Sequence, residues 1–232
     1  MIVLYNDDNI KVMRELKRKD IAVDAIYADS IYTSSYLAWT IFCCNILKDN
    51  GVFIIQADYH TVADYVTYMK FYTEKCGWTF VNWLIYINDW GGTPKNRFAQ
   101  KHDDILVYCK GNHWKWYPER IQIPKVTAGT AFDKKGTGLK TPCSVFYDHA
   151  SFSTMSKERV KMPDGHNISM QKPMWLMNRL LLPFTDEGDL ILEPFGGTFP
   201  ACRWAKENNR NAIGIELRTD ILNLSKELGD EK

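Results

Sequence analysis

The sequence predicts an α/β fold, a mostly parallel sheet with helices on both faces. Three observations lead there. Short apolar runs alternate with stretches of helical periodicity along most of the 232 residues. Residues 52–57 form an apolar run typical of a strand buried on both faces. The C-terminal stretch LILEPFGGTFPACRWAKENNRNAIGIEL, residues 190–217, reads strand, tight turn, helix, strand, acid.

Each element has its own reason. Residues 2–5 are a short strand, and Asn6-Asp7-Asp8-Asn9 caps a helix running from 10 to 17. Residues 22–28 are a strand, with Asp29-Ser30-Ile31-Tyr32 at its carboxyl end. Trp39, Phe42, Cys43 and Ile46 recur at helical spacing, giving a helix over 36–47 that Asn50-Gly51 stops. After the strand 52–57, Val62, Tyr65, Met69 and Tyr72 mark a helix over 61–75. Strands follow at 80–87 and 105–109. From 111 to 163 tryptophan, proline, lysine, glycine and threonine mix without clear periodicity, which reads as an insertion. Helical spacing returns with Pro173, Leu176, Leu180 and Leu181, proline suiting the first turn. A strand at 190–192, a helix ending near 208, a strand at 212–215 and a closing helix over 219–228 complete a sheet of seven strands.

Composition narrows the function classes. Hydrophobic content of 45% and charge of 25% are those of an ordinary globular chain, long enough for one domain with an insertion. No apolar run is long enough to span a bilayer, and a signal-peptide pattern is absent. The six cysteines (43, 44, 76, 109, 143, 202) are scattered, without CxxC spacing, so they read as reduced thiols of an intracellular, cytoplasmic protein. The histidines lack metal-ligand spacing with them, and no metal is expected. The net charge of +1 conceals an asymmetry. Residues 110–172 hold eleven Lys/Arg against five Asp/Glu, leaving the rest of the chain at −5. Such a segment suits a phosphate-facing surface, or a solvated loop.

The chemistry concentrates at two turns. A glycine after a strand lets backbone approach a ligand, and an acid about twenty residues on accepts two ribose hydroxyls. Here those are Gly196, Gly197 and Glu216. The turn at Asp29 follows another strand, and ligands of open α/β sheets bind at the carboxyl ends of strands, so both turns face one crevice.

In order, the chain gives NDDN, ADSIY, KNRFAQKHDDILVYCKG, a basic variable segment, QKP and EPFGGTF. This series resembles the S-adenosylmethionine-dependent amino-methyltransferases of DNA in their permuted beta order, across nearly the whole chain and least over 111–163. The resemblance implies a Rossmann-like methyltransferase fold with circularly permuted motif order. It divides the chain into a catalytic half at 1–110, a target-recognition insertion at 111–165 and a cofactor-binding half at 166–232.

It also implies roles. An exocyclic amine is a poor nucleophile because its lone pair is delocalised into the ring, and an acceptor for its N–H groups localises that pair. Asp29 would be that acceptor, the Ser30 carbonyl a second, and Tyr32 would stack on a flipped base. S-adenosylmethionine would be held by Asp8, Asp29, Gln171, Lys172, Glu193, Phe195, Gly196, Gly197 and Glu216. Asp8 reads equally as a helix cap, and Lys172 as a phosphate contact or surface lysine. Lys95, Asn96, Arg97 and Phe98 match the loop beside the target base, with Phe98 alternatively in the core. Trp114, Lys115, Trp116 and Arg120 interleave aromatics with cations, as for nucleic-acid contact or buried tryptophans. Double-stranded DNA is the implied partner, and a homodimer is common in this order.

Three positions depart from the pattern. Ser30 and Ile31 replace two prolines, losing a fixed φ, and Phe199 replaces a glycine, where its bulk is expected to crowd the methionine end. The resemblance favours adenine N6 because the tetrapeptide begins with aspartate. Cytosine N4 is the alternative within the class, a weakly active or inactive DNA-binding relic is another, and a nicotinamide oxidoreductase leaves ADSIY, KNRF and QKP unexplained.

Overall fold

A computed structural model of the chain describes residues 1–30, 37–88, 92–134, 136–147, 156–168 and 170–231. Strand β1 (Ile2–Tyr5) leads into α1 (Asn9–Arg18), whose cap is Asp8; the Asp8 carboxylate accepts the Lys11 N–H at 3.0 Å. Then come β2 (Val23–Asp29), α2 (Ala38–Ile46), β3 (Leu47–Ala57), α3 (Val62–Lys75), β4 (Thr79–Ile87) and β5 (His102–Cys109). Three short strands follow: β6 (Ile123–Pro124), β7 (Leu139–Lys140) and β8 (Val145–Tyr147). The chain ends with α4 (Met174–Leu181), β9 (Leu190–Glu193), α5 (Pro200–Glu207), β10 (Asn211–Ile215), α6 (Thr219–Asn223) and β11 (Asp230–Glu231).

Nine of these strands form one sheet in the order β11-β1-β10-β9-β2-β3-β5-β4-β8. The seven expected strands make up its middle, and the short β11 and β8 extend its two edges. β5 alone runs against the others. Alternation along each strand feeds two cores. Ala25 and Tyr27 of β2 join the core beneath α4 and α5, whereas Val23, Ile26 and Ala28 join the one beneath α1, α2 and α3. Helices therefore cover both faces.

Two boundaries moved. Asn50-Gly51 was expected to end α2, but the chain is already strand at Leu47. Asn50 sits at φ 63, and the pairing with β2 jumps from Val23↔Leu47 to Ala25↔Val52. The Asn-Gly pair thus forms an irregularity inside β3 instead of a helix stop. The closing helix is also shorter than expected: α6 ends at Asn223, and a 3-10 turn (Lys226–Leu228) carries the chain back to pair with β1.

The segment beyond residue 110 is less separate than its composition suggested. Trp114 packs against the first core, and Phe146 and Ile121 are buried. All six cysteines are free; Cys43, Cys44, Cys109 and Cys202 are buried, and Cys76 and Cys143 exposed.

Candidate active site

The carboxyl ends of β1, β10, β9 and β2 stand side by side, and the strand order reverses between β9 and β2. Pairing between β9 and β2 stops at Ile26↔Leu192, so the residues beyond diverge and open a crevice. A cavity of about 550 Å³ fills it. Its walls come from the turns after those four strands and from the segment leading into α4.

Asp8, Asp29, Gln171, Lys172, Glu193, Phe195, Gly196, Gly197 and Glu216 all line this cavity, as does Ser30. Tyr32 lies outside the described residues. Asp8 serves as the α1 cap and as cavity wall together, so its two readings are compatible. The NDDN loop is tied across the crevice: the Asn6 amide donates to the Glu216 carbonyl at 2.9 Å and the Asn9 amide to the Pro194 carbonyl at 3.2 Å. Gln171 faces the cavity while its amide binds backbone, accepting from Val160 N–H at 2.8 Å and donating to the Glu158 carbonyl at 2.7 Å.

Two carboxylates frame the glycine turn. Glu193, fully buried, accepts the Ala201 and Cys202 N–H groups at 3.0 and 2.9 Å, one per oxygen, at the start of α5. Burial nevertheless raises its pKa to about 8, against the lowering effect of those amides. Glu216 accepts the Gly197 N–H at 2.7 Å and the Arg218 N–H at 2.8 Å, one per oxygen, leaving acceptor capacity on both. Thr198 is 3% exposed, lines the same cavity, and its hydroxyl has no hydrogen-bond partner among the described residues.

Phe199 corrects one expectation. It adopts the left-handed conformation (φ 56) and is fully buried, yet its ring lies beneath the turn and not among the cavity walls. A Cβ on Gly196 would come within 2.2 Å of that ring and one on Gly214 within 2.5 Å. Two missing side chains therefore make the room the ring occupies, away from the cavity walls.

A buried polar chain that sequence reasoning missed supports Asp29. Lys172, 5% exposed, places its ammonium 3.3 Å from the Asp29 carboxylate and 2.9 Å from that of Asp103. Asp103 also accepts from the Gln56 amide at 2.7 Å, and Gln56 accepts from the Tyr27 hydroxyl at 2.6 Å. The pairing Asp29↔Gln56 brings β2 and β3 together here. Two adjacent acids at the start of an apolar strand, Asp103-Asp104, were the available signal. Lys172 is thus an internal cation at the cavity wall and not a surface lysine.

The nucleic-acid candidates divide into two groups. Lys95, Asn96, Arg97 and Phe98 are exposed in the loop between β4 and β5, at the cavity end of the sheet. Arg97 lies over the Tyr59 ring at 5.7 Å, and Phe98 is 98% exposed, so it is not a core residue. Trp114, Lys115, Trp116 and Arg120 stand at the opposite end. Lys115 pairs with Asp189 at 2.6 Å and Asp186 at 3.1 Å, just before β9 begins. Arg120 binds Asp186 at 3.1 Å and stacks on Tyr117. Trp116 packs on Phe184. In this structure Lys115 and Arg120 are ion-paired to acids before β9 and Trp114 packs against the first core, so these contacts fasten the segment to the domain.

Comparison with known proteins accords with this geometry. The DNA methylase family profile, of N6/N4 methyltransferases, matches residues 11–227. The chain belongs to that family. Among relatives of this family member, the type II methyltransferase M.HpaI of Haemophilus parainfluenzae is 26% identical over 213 residues, covering 88% of this chain and 62% of its own. M.BamHI of Bacillus amyloliquefaciens is 23% identical over 249 residues, covering 92% and 54%. The chain thus spans little more than half to three-fifths of these curated relatives. In fold, it is similar to M1.HpyAVI in its SAM complex, with TM-score 0.67, 21% identity and coverage of 98% and 99%. It is also similar to the cytosine-N4-specific PvuII DNA methyltransferase, with TM-score 0.71, 11% identity and coverage of 97% and 85%.

S-adenosylmethionine is the cofactor of this family, and the cavity fits it. Its size is right for a nucleoside ligand, carboxylates stand at two places along it, and the buried Thr198 hydroxyl awaits a partner there. Among the described residues no cluster of His, Cys, Asp and Glu could hold a metal, and no helix is long and apolar enough to cross a membrane.

Proposed function

We propose that the chain transfers a methyl group to the exocyclic N6 of adenine in double-stranded DNA. The observation that carries this reading is the meeting of the Asp29–Ser30 turn with the Gly196–Gly197 turn and Glu216 in one cavity. The relatives are type II methyltransferases, which supports DNA as substrate. Aspartate at the head of the tetrapeptide supports adenine.

When bound, S-adenosylmethionine supplies an electrophilic methyl on a sulfonium sulfur. Glu193 would hold its amino-acid end and Glu216 its ribose, with Phe195, Gly196, Gly197 and Asp8 supplying the remaining cavity wall. Asp29 accepts one N–H of the target amine and the Ser30 carbonyl accepts the other. This concentrates the nitrogen lone pair toward the methyl, and the surplus proton leaves through the Asp29 carboxylate. Lys172 sets its ammonium 3.3 Å from that carboxylate, a positive charge opposite the negative one. Lys95, Arg97 and Phe98 meet the DNA at the cavity end. No cysteine is among the residues lining the cavity, and burial pushes the Cys43 and Cys202 thiols well up.

The test is transfer of labelled methyl from S-adenosylmethionine to mixed-sequence duplex DNA, followed by nucleoside analysis. N6-methyladenine supports the proposal, and N4-methylcytosine keeps the class and overturns the base. Absence of label with cofactor binding intact overturns the activity.

A further inference from the structure

Ser30 is the first residue beyond β2, past the last pairing of that strand with β3 at Asp29↔Gln56. A serine there has a free φ and ψ, so the ladder alone does not set where its carbonyl points. Its side chain, however, is fastened. The Ser30 hydroxyl lies 2.6 Å from the Tyr65 hydroxyl, both groups being buried. Tyr65 is 2% exposed in the first turn of α3, inside the second core. Trp39 meets the Tyr65 ring edge-on at 5.9 Å, and meets Phe53 of β3 and Phe195 of the glycine turn at 5.9 and 4.9 Å. The tyrosine is therefore held by packing at its ring and reaches Ser30 from a rigid support.

We propose that Tyr65 is a positioning residue for the transfer: by holding the Ser30 side chain it fixes the backbone carbonyl of Ser30 as an acceptor for the target amine. This rests on the proposed methyl transfer. Tyr65 does not line the cavity, so its effect passes through Ser30. Burial also raises the Tyr65 pKa, keeping the phenol protonated as a hydrogen-bonding group at neutral pH.

The test is a double-mutant cycle on the full chain with Ser30→Ala, Tyr65→Phe and the pair. Each variant is read for urea unfolding, calorimetric S-adenosylmethionine affinity, and kcat and KM on duplex DNA. A neutral hydrogen bond lost from a preorganised site predicts that each single change lowers kcat by about two- to tenfold. Cofactor affinity and KM for DNA should stay within about twofold, and the double variant should be no slower than the worse single one. A kcat for Tyr65→Phe equal to wild type, or losses that multiply in the double variant, overturns the proposal. Should the wild-type chain transfer no methyl to DNA, the proposed function fails by itself. The unfolding cycle then decides the Ser30–Tyr65 link separately, and strictly additive stability losses overturn it.

Discussion

Replacing Phe199 with glycine separates two accounts of an unusual residue. If the ring crowded the cofactor, glycine would tighten binding. The structure predicts a different outcome, because the ring fills space left by Gly196 and Gly214 inside the core. Truncating a buried phenylalanine costs about 3–5 kcal/mol. Glycine recovers about 1–2 kcal/mol of left-handed backbone strain at φ 56, and gives back about 0.5–1 kcal/mol in unfolded-chain entropy. The net loss is about 1.5–5 kcal/mol, which at about 2–4 °C per kcal/mol for a chain of this size lowers Tm by roughly 3–20 °C. Urea and thermal unfolding measure this loss, and calorimetry below the transition measures cofactor affinity, which should hold within about threefold because the ring is not a cavity wall. Unchanged Tm with markedly tighter binding would refute the packing argument.

Other expectations follow from the same contacts. Lys172→Met leaves Asp29 and Asp103 facing each other without their cation, which should cost about 3–5 kcal/mol in urea unfolding and stop transfer. Adding Asp103→Asn should recover part of that stability, and strict additivity would contradict the bridge. Glu193 has its pKa raised from 4.5 to about 8, so its contribution to stability is full below pH 4.5 and is lost as pH rises through 8. A ligand ammonium favours the ionised form, so cofactor affinity should rise with pH toward 8, and Glu193→Gln should flatten that part of the calorimetric profile. Lys115→Ala breaks partly exposed ion pairs, costing about 0.2–1 kcal/mol in unfolding while leaving DNA affinity within about twofold. Arg97→Ala should weaken DNA binding in gel-shift titrations and reduce its salt slope by about 1.

Most of the fold was legible because its signals are local. The apolar runs, the Asp8 cap and Pro173 before α4 each act within a few residues, and the glycine-turn unit appears as its residues suggested. The irregularity at Asn50-Gly51 was not legible, because strand pairing across β2 decided between a helix stop and a bulge. The cavity wall could be anticipated from the ordered motifs, since NDDN, ADSIY and EPFGGTF lie at strand carboxyl ends, with QKP leading into α4 beside them. Its supports could not. Asp103, Gln56 and Tyr27 come from three strands and meet only through the sheet, and Tyr65 reaches Ser30 from 35 positions away. Lys115 and Arg120 show the limit of composition, which reveals cations but not the acids paired with them. Phe199 shows the limit of position-by-position comparison: its room depends on a glycine in another strand.

The ion pairs before β9 also bear on how tightly a polyanion would be held as ionic strength changes. Binding to DNA is driven largely by counterions released when cations reach phosphates, with log K falling by about 0.9 per phosphate for each unit of log salt. Lys115 and Arg120 already have carboxylate partners, and so do Lys110, Lys125 and Lys172. Five of the eleven cations between 110 and 172 thus already face a carboxylate, which reduces the counterions they would release on docking. Among the described residues, exposed cations on or next to the cavity end that are outside the ion pairs above include Lys95 and Arg97, with Lys157 and Lys161 near the Gln171 wall. Four such contacts give a slope of roughly −3.6, shallow enough for association to survive salt that would strip a more heavily charged binder from DNA.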